Sequence, residues 1–412
     1  MRNLKILNYQ GNKAALMPFI ESVMSDFANQ NDVIFDIFSG SGSVSSELNT
    51  KYEMIANDAE SYASIIADAA LNTPNEEVVD SIINTANIWL KEINEKSTTP
   101  AVLDEEKFIQ NDDYSSLNTM YLNLPTVWNE KFNVIQLREA QAYNLFQTYY
   151  GGSYFGIRQA FDIDELIRKI HSVEKYRNIY MSALFYAMKE AVFSKDGHMA
   201  QPLSGPKYPG RMLKSRSVSI LDKFVEKILD YAQYSVLHHV KGSTVLNLDF
   251  KKALDNSIVQ KKSKVIYADP PYTDMQYSRY YHLLNVAAEY IYPDLTMNNG
   301  KYTKGLYTSG RNQSILSQKG KAKDGLTYLI SRTKSMGKTI VISYAYPENK
   351  ELQNVDRYTV SINQLIQMVK NEYGTDKTYI YKQKYEHANN RNANKKKVYE
   401  YLIVGGDKIN ET

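Results

Sequence analysis

The chain has 412 residues, a formal net charge of +3, 43% hydrophobic residues and 23% charged residues. Such a composition is typical of a globular protein with a sizeable core, built as one large domain with insertions or as two domains. Cysteine is absent and histidine occurs six times, which excludes disulfides and thiolate metal sites and argues against an imidazole metal site.

The first predicted elements are strands and a glycine-containing loop. Residues 33–37 (VIFDI) are apolar and β-branched, and the small residues 39–43 follow them directly. A second short strand, 54–56 (MIA), ends at Asn57 and Asp58. A strand, a glycine-rich turn, a helix and a strand that ends in an acid are the typical opening of a doubly wound α/β sheet.

From about residue 64 to 240 helical periodicity dominates, and strand patterns return afterwards. We therefore predict an α/β domain of residues 1–63 and 241–412, interrupted by a helical insertion at 64–240. No apolar run approaches the roughly 20 residues of a membrane helix, and the N-terminus lacks a signal-peptide pattern. We expect a cytoplasmic protein that does not bind membranes.

The glycine loop points to a nucleoside ligand. Gly40 and Gly42 follow the first strand, but Ser45 stands where the third glycine of a dinucleotide-binding loop would be, and no P-loop is present. Asp58 ends the next strand, where an acid can accept hydrogen bonds from both ribose hydroxyls. This favours a nucleoside cofactor without a pyrophosphate, such as S-adenosylmethionine. An ordinary strand–helix turn with Asp58 as a helix cap is the alternative.

The second motif is Asp269–Tyr272 (DPPY), directly after the predicted strand 264–268. Its prolines lack N–H donors, so the backbone offers mainly carbonyl oxygens beside the carboxylate, and Tyr272 adds a flat ring. Two acceptors and a stacking face suit the exocyclic amine of a base, which would have to be flipped out of a duplex. The alternative, taken from these four residues alone, is a rigid turn with an exposed acid.

Together these motifs resemble the Dam-like, alpha-type DNA adenine-N6 methyltransferases that carry DPPY. Asn8–Lys13 (NYQGNK) is similar to the opening motif of that family, and Asn247–Phe250 (NLDF) to a motif that contacts the cofactor adenine. The resemblance implies a Rossmann-like methyltransferase domain with a mixed, mostly parallel sheet. The implied catalytic residues are Asp269, Pro270, Pro271 and Tyr272. The implied cofactor-binding residues are Tyr9, Lys13 (near the methionyl carboxylate), Asp36, Phe38, Ser39, Gly40, Gly42, Asp58, Asp249 and Phe250.

Later segments resemble a branch of these enzymes related to those of the FokI and NlaIII systems, among them QYSRYYHLLN, LYTSGRNQS and VISYAYP. In that branch Ser343–Tyr346 would form a wall of the target-base pocket. The helical insertion is the candidate target-recognition region, with the loop Gly197–Arg216 as the predicted reader of bases. The candidate DNA-binding residues are Gln276, Tyr277, Arg279, Arg311, Tyr344, Tyr346 and Arg391.

The resulting hypothesis is site-specific adenine-N6 methylation of double-stranded DNA, with S-adenosylmethionine as the cofactor and without a metal. Cytosine-N4 methylation needs the same geometry, although that class more often has serine in place of Asp269. The third hypothesis is a catalytically inactive DNA-binding protein with the same fold. A prokaryotic or phage origin, a cognate restriction endonuclease, and a monomer or weak dimer are further expectations. The recognition sequence and the physiological role stay open.

Overall fold

The computed structural model describes residues 13–129, 133–195, 198–237, 242–347, 355–387 and 396–409. The helices in these ranges are, in chain order, α1 (Met17–Met24), α2 (Ser43–Leu48), α3 (Ser61–Leu71), α4 (Glu76–Lys96), α5 (Pro100–Gln110), α6 (Tyr114–Leu122), α7 (Val134–Ala140), α8 (Leu145–Tyr150), α9 (Ile157–His171), α10 (Arg177–Ala191), α11 (Pro209–Arg216), α12 (Ile220–Leu237), α13 (Phe250–Leu254), α14 (Ser257–Lys262), α15 (Tyr277–Tyr280), α16 (His282–Glu289), α17 (Ala322–Ser335) and α18 (Ile362–Tyr373). The strands are β1 (Val33–Asp36), β2 (Glu53–Asn57), β3 (Thr244–Leu246), β4 (Ser263–Ala268), β5 (Met297–Asn298), β6 (Lys301–Tyr302), β7 (Thr339–Pro347), β8 (Thr378–His387) and β9 (Lys396–Gly405). None of these helices is long and apolar enough to cross a bilayer.

The main sheet of the described chain has the order β3–β2–β1–β4–β7–β9–β8. Strands β3, β2, β1, β4 and β7 are parallel to their neighbours, whereas β9 runs antiparallel to both β7 and β8. The predicted α/β fold with a mixed, mostly parallel sheet is confirmed. The parallel order places the ends of β1, β2 and β4 at one edge of the sheet, where open α/β sheets bind ligands.

Helices cover both faces of this sheet, and alternation along the strands decides which side chains meet them. On β4, Val265 and Tyr267 pack in the core formed with α1, α2 and α3. Ile266 and Ala268 point to the opposite core, formed with α13, α14, α17 and α18. Because both faces are buried, the parallel strands are almost continuously apolar.

The described chain divides into two compact units. The helical unit consists of the described parts of 73–237 and 277–311, and the sheet unit of the described parts of 13–72, 242–276 and 312–409. These limits differ from the predicted insertion at 64–240. Helix α3 belongs to the sheet unit because Ala67 and Leu71 pack in the sheet core. Segment 277–311 belongs to the helical unit, where the Tyr149 and Tyr154 hydroxyls donate to the carbonyls of Pro293 and Gly305, each at 3.1 Å.

A buried carboxylate organises the helical unit. Glu105 accepts hydrogen bonds from the backbone N–H groups of Ile157 (2.7 Å) and Arg158 (2.8 Å) at the start of α9, and from the Tyr121 hydroxyl. Free N–H groups at a helix N-terminus favour a negative charge. Glu105 therefore joins α5 to the N-terminus of α9 through buried hydrogen bonds.

The predicted base-reading loop 197–216 is partly helical in the structure. Helix α11 begins at Pro209, a residue suited to the first helical turn, and its Met212 and Leu213 are buried. Arg216, the last residue of the predicted base-reading loop, is 5% exposed and donates to the carbonyls of Ser153 (2.8 Å) and Tyr154 (3.1 Å). Residues 209–216 are therefore a helix and not a loop: its apolar face and Arg216 are buried, whereas Arg211 and Lys214 are exposed.

Candidate active site

The glycine loop between β1 and α2 has the tight geometry that its sequence predicts. Gly40 and Gly42 both have positive φ angles, 52° and 71°. A Cβ atom at Gly42 would lie 2.9 Å from the Cα of Ala67 in α3. Glycine at 42 is therefore required both by the left-handed backbone and by the close approach of α3.

Asp58 follows β2 and closes the loop from the other side. Its Oδ2 accepts from the backbone N–H of Gly40 at 3.0 Å, and its Oδ1 from that of Glu60 at 2.9 Å. Burial raises the pKa of Asp58 to about 6, although these backbone donors oppose the shift. Since each carboxylate oxygen has a second lone-pair direction, Asp58 can still accept hydrogen bonds from a ligand.

Asp36 ends β1 beneath the same loop. Its Oδ2 accepts from the Ser45 hydroxyl at 2.6 Å, which explains a serine where a dinucleotide site would have glycine. Burial raises the pKa of Asp36 to about 7, with the Ser45 hydrogen bond opposing the shift. The hydroxyl of Ser39 is buried and has no hydrogen-bond partner among the described residues, so it is available to a ligand.

An aromatic pair lies beside this loop. The rings of Phe38 and Phe250 are 5.8 Å apart with an interplanar angle of 47°. Asp249 caps α13 by accepting from the backbone N–H of Lys251 at 3.0 Å. Asn57 ties the two segments together, because its Nδ2 donates to the carbonyls of both Ile37 and Leu248. Apolar rings, an acid with spare lone pairs and a free buried hydroxyl fit the adenosine part of S-adenosylmethionine.

The DPPY turn is fixed by the chain that follows it. Residue Thr273 pairs in an antiparallel bridge with Tyr358. The backbone N–H of Thr359 donates to the carbonyl of Tyr272, and that of Asp274 to the carbonyl of Arg357, both at 3.0 Å. This short ladder begins where the motif ends, so the turn is held by β4 on one side and by residues 357–359 on the other.

Tyr272 belongs to a group of four tyrosine rings. It stacks on Tyr358 at 5.9 Å and 18° and meets Tyr344 edge-on at 5.7 Å. Tyr346 meets Tyr358 edge-on at 4.9 Å. Tyr344 is fully buried, and its hydroxyl donates to the carbonyl of Val360 at 2.7 Å. Tyr344 and Tyr346, predicted DNA contacts, thus lie largely in the interior, where they support the half-buried ring of Tyr272.

Asp269 belongs to a polar cluster on the α1 face of the sheet. The Lys13 Nζ lies 3.3 Å from Asp269 Oδ1 and 2.8 Å from Glu400 Oε1. The Ser343 hydroxyl also donates to Glu400 Oε1, at 2.6 Å. The Asp269 side chain is 23% exposed, against 3% for Lys13 and 0% for Glu400. We call these four residues the Lys13–Glu400 cluster; Asp269 is its most exposed carboxylate.

The charges within this cluster shift the pKa values of its own members. Burial lowers the pKa of Lys13, but the carboxylates of Asp269 and Glu400 raise it by more, so the net pKa is well above the ordinary value. Burial raises the pKa of Asp269, an effect that Lys13 opposes and Glu400 reinforces. The Lys13 ammonium therefore stays charged at neutral pH, which stabilises Asp269 in its ionised form.

Two predicted DNA-binding arginines lie together in the helical unit. The guanidinium carbons of Arg279 and Arg311 are 5.3 and 5.0 Å from the ring centre of Tyr307, and the Arg279 Nη2 donates to the Tyr307 hydroxyl at 3.3 Å. His282 meets the same ring edge-on at 5.0 Å. Burial lowers the pKa of His282 to about 3, and both arginine charges contribute. His282 is therefore neutral, and the two arginines dominate the local charge.

Comparison with known proteins adds an independent observation. The model of the D12 class N6 adenine-specific DNA methyltransferases matches residues 9–360. The chain belongs to this family. Among the described residues, no group of three or more His, Asp or Glu side chains could hold a metal ion.

This D12-class chain is also similar to two curated proteins. It is 22% identical over 315 residues to the modification methylase LlaI of Lactococcus lactis subsp. lactis, covering 75% of this chain and 42% of that protein. It is 24% identical over 345 residues to the type II methyltransferase M.FokI of Planomicrobium okeanokoites, covering 82% and 44%. The chain thus spans less than half the length of these relatives. The predicted resemblance to the FokI branch is confirmed. No solved structure matches.

Not every predicted site residue of this D12-class chain can be placed. Tyr9 and Arg391 lie outside the described residues. Gln276 is half-buried after the DPPY turn, and Tyr277 begins α15. The role of Lys13 at the methionyl carboxylate stays a prediction.

Glu400 and Tyr358 were not among the predicted site residues. A signal for Glu400 existed: it interrupts VYEYLIV (398–404), a run typical of a strand that is otherwise aromatic and aliphatic. A charge in such a strand is seldom buried unless it has a partner, and here the partners are Lys13 and Ser343. Tyr358 follows a polar segment and has no comparable signal.

Proposed function

We propose that the protein is a site-specific DNA adenine-N6 methyltransferase that uses S-adenosylmethionine and acts on a base flipped out of the duplex. The observation that carries this proposal is the position of Asp269. It follows β4 in a turn fixed from both sides, it is the most exposed carboxylate of its cluster, and Tyr272 stands three residues later. Membership of the D12 family supports the same reaction.

The cofactor site in this proposal is the loop between β1 and α2 with its neighbours. S-adenosylmethionine supplies an activated methyl group on a sulfonium sulfur. Asp58 accepts hydrogen bonds from the ribose, Phe250 lies against the adenine with Phe38 beside it, and Ser39 offers its free hydroxyl. Gly42 lets α3 pack closely behind the loop.

Asp269 and the carbonyl of Pro270 accept the two hydrogens of the adenine amine. The lone pair of that nitrogen is delocalised into the base, and accepting both hydrogens favours a more tetrahedral nitrogen whose lone pair is available for attack. Tyr272 stacks on the base, as is common for extruded bases. The amine is too weakly acidic to be deprotonated first, so Asp269 positions it, and the proton leaves after the transfer.

The DNA-binding surface in this proposal includes the arginine pair beside Tyr307. Arg279 and Arg311 hold two positive charges near one ring, which suits a backbone phosphate. In the helical unit, the proposed target-recognition region, Lys207, Arg211 and Lys214 are exposed in and before α11. A cytoplasmic location and a partner restriction endonuclease fit the modification methylases to which the chain is similar.

The deciding experiment combines methyl-labelled S-adenosylmethionine with unmethylated DNA and then analyses the nucleosides. We expect labelled 6-methyladenine. Labelled 4-methylcytosine would establish the cytosine enzyme instead, and DNA binding without any label would establish the catalytically inactive DNA-binding protein.

The Asp269→Ala variant tests the mechanism. We expect it to abolish transfer while it retains S-adenosylmethionine binding, because Asp269 is assigned to the amine and not to the cofactor. A matched control is Asp255→Ala, which removes an exposed carboxylate of the same unit that pairs with Arg332 at 2.8 Å. Such surface pairs contribute little to stability, so the control should transfer at the normal rate. Full activity of Asp269→Ala would reject the assigned role.

The phosphate contact is tested by the salt dependence of DNA binding. Replacing Arg279 or Arg311 by alanine should reduce the slope of log affinity against log salt by about 1 in each variant, since one phosphate contact is lost. Arg332→Ala, on the surface of the sheet unit, serves as the control and should leave the slope unchanged. An unchanged slope in both test variants would exclude the arginine pair from the interface.

A further inference from the structure

Glu400 is a buried carboxylate that the reaction as described so far does not use. It lies on β9, beyond the residues 9–360 that match the D12 family. It is fully buried, and its Oε1 accepts from both Lys13 (2.8 Å) and Ser343 (2.6 Å). Its second oxygen has no hydrogen-bond partner among the described residues. Burying a carboxylate is costly unless it is well paired, so a purely structural glutamate would be expected to have both oxygens satisfied.

The sheet geometry explains how Glu400 reaches the catalytic acid. In the antiparallel pair of β7 and β9, Glu400 stands opposite Ala345, and Ser343 stands opposite Leu402. Ser343 and Glu400 are therefore diagonal neighbours on one face. Lys13, just before α1, enters the same face and contacts both Glu400 and Asp269. The lysine thus lies between two carboxylates that come from different strands.

The Lys13 ammonium lies closer to Glu400 than to Asp269. Its Nζ makes a directed hydrogen bond to Glu400 at 2.8 Å. Its contact with Asp269 Oδ1 is longer, 3.3 Å. Glu400 therefore has the shorter contact with the ammonium, and the Asp269 side chain, 23% exposed, remains accessible to the substrate.

The charges of the cluster lead to the same conclusion. Lys13 contributes one positive charge, and Asp269 and Glu400 each contribute one negative charge, so the ionised cluster carries a net charge of about −1. When the neutral adenine amine takes up a methyl group, its nitrogen becomes positive until a proton leaves. A fixed negative charge beside that nitrogen stabilises the transition state. Without the charge of Glu400, the positive charge of Lys13 would cancel the negative charge of Asp269, and the cluster would have a net charge of about zero.

We propose that Glu400 is a positioning residue for methyl transfer: it takes the shorter contact with Lys13, which stays at ion-pair distance from Asp269, and it keeps the cluster negative where the amine becomes cationic. The proposal rests on the proposed function. Other titratable groups near Asp269 are Tyr267 on β4, Asp36 on β1 and Tyr272 in the turn itself. They are the same in every variant below, so they do not affect the comparison.

The first test is Glu400→Gln, which keeps the shape of the side chain and removes its charge. The methyl-transfer rate is measured in a single turnover with saturating S-adenosylmethionine and DNA, across a range of pH. We expect the plateau rate to fall about 10- to 100-fold, the change that corresponds to losing one charged interaction. The acid limb of the pH profile should move to lower pH, because Glu400 no longer raises the pKa of Asp269 and Lys13 can turn fully towards it.

The matched control is Glu372→Gln in the same unit. Glu372 also accepts a serine hydroxyl, that of Ser331, but lies on α18 away from the cluster. Its rate and pH profile should equal those of the wild type. A merely structural Glu400 would lower the rate without moving the acid limb, and that result would overturn the proposal. Inactive wild-type protein would instead refute the proposed function.

The second test is the double variant Lys13→Met with Glu400→Gln, which removes both charges of the ion pair. The net charge is again about −1, now on Asp269 alone, and no fully buried charge remains. Because the loss of Lys13 raises the pKa of Asp269, the rates are compared on the alkaline plateau of each pH profile, where Asp269 is ionised. We expect at least about a tenfold recovery of the single-turnover rate over Glu400→Gln. Equal rates in the two variants would overturn the proposal. Because the cofactor is saturating, the measured rate does not change if the loss of Lys13 weakens cofactor binding.

Discussion

Replacing Gly42 by alanine separates two reasons for a glycine in the cofactor loop. One is the backbone, since Gly42 has a φ of 71°. The other is space, since the new Cβ would lie 2.9 Å from Ala67 Cα and 3.1 Å from Ala67 Cβ. Gly337, just after α17, offers a matched comparison: its φ is 68°, but nothing lies within 4 Å of an added Cβ.

The two variants should therefore differ by the steric contribution alone. At Gly337 alanine should lower the free energy of unfolding by about 1 kcal/mol, the cost of a left-handed alanine. At Gly42 the same cost applies, and the backbone of α3 must also move. Overpacking of this kind typically costs a further 1–3 kcal/mol, so we expect a total of about 2–4 kcal/mol.

Urea denaturation of both variants and the wild type measures these free energies, and calorimetry measures the affinity for S-adenosylmethionine. Gly42→Ala should bind the cofactor about tenfold more weakly or worse, a loss of about 1.4 kcal/mol, because α3 and the loop that carries Gly40 and Ser39 are displaced. Gly337→Ala should bind it normally. Equal destabilisation by the two substitutions, or normal cofactor affinity in Gly42→Ala, would refute the steric argument.

Three further predictions concern pH, stacking and stability. Burial raises the pKa of Asp36 to about 7, so its contribution to stability is full below the unfolded pKa near 4 and is lost as the pH rises through 7. Asp36→Asn should therefore remove about 3 kcal/mol of the stability difference between pH 5 and pH 8, measured by denaturation at both values. Tyr272→Phe should retain most methyl transfer, whereas Tyr272→Ala should weaken it by about 1–3 kcal/mol of stacking energy, as single-turnover rates would show. Glu105→Ala should destabilise the protein by about 3–5 kcal/mol, because the N–H groups of Ile157 and Arg158 and the Tyr121 hydroxyl lose a buried acceptor; an unchanged urea midpoint would contradict this.

Local patterns were sufficient to predict the strands and the motif residues that follow them. Gly40, Gly42, Asp58 and Asp269 all stand at the carboxyl ends of β1, β2 and β4, and a parallel sheet brings such ends to one edge. Each of these residues was recognisable from the few residues around it.

Features that depend on distant contacts were not predictable in this way. The burial of Arg216 is one example, because it depends on hydrogen bonds to the carbonyls of residues 153 and 154, which are about 60 residues away in the sequence. The limits of the helical unit depend on where α3 and segment 277–311 pack, which helical periodicity does not specify. Tyr344 was predicted in a wall of the target-base pocket. In the structure it meets Tyr272 edge-on, and its complete burial depends on Val360 and on the neighbouring rings.

The position of β9 affects when the protein can become active during its synthesis. This strand is made after β7 and β8 but lies between them in the sheet, and 387 residues separate Lys13 from Glu400. At about 5–20 residues per second, the ribosome needs roughly 20–80 seconds to cover that distance. Through that interval the nascent chain carries the glycine loop, and later the DPPY turn, without the strand that completes the cluster. Methylation should therefore begin only after β9 has left the ribosome, and chains interrupted before it should leave DNA unmodified.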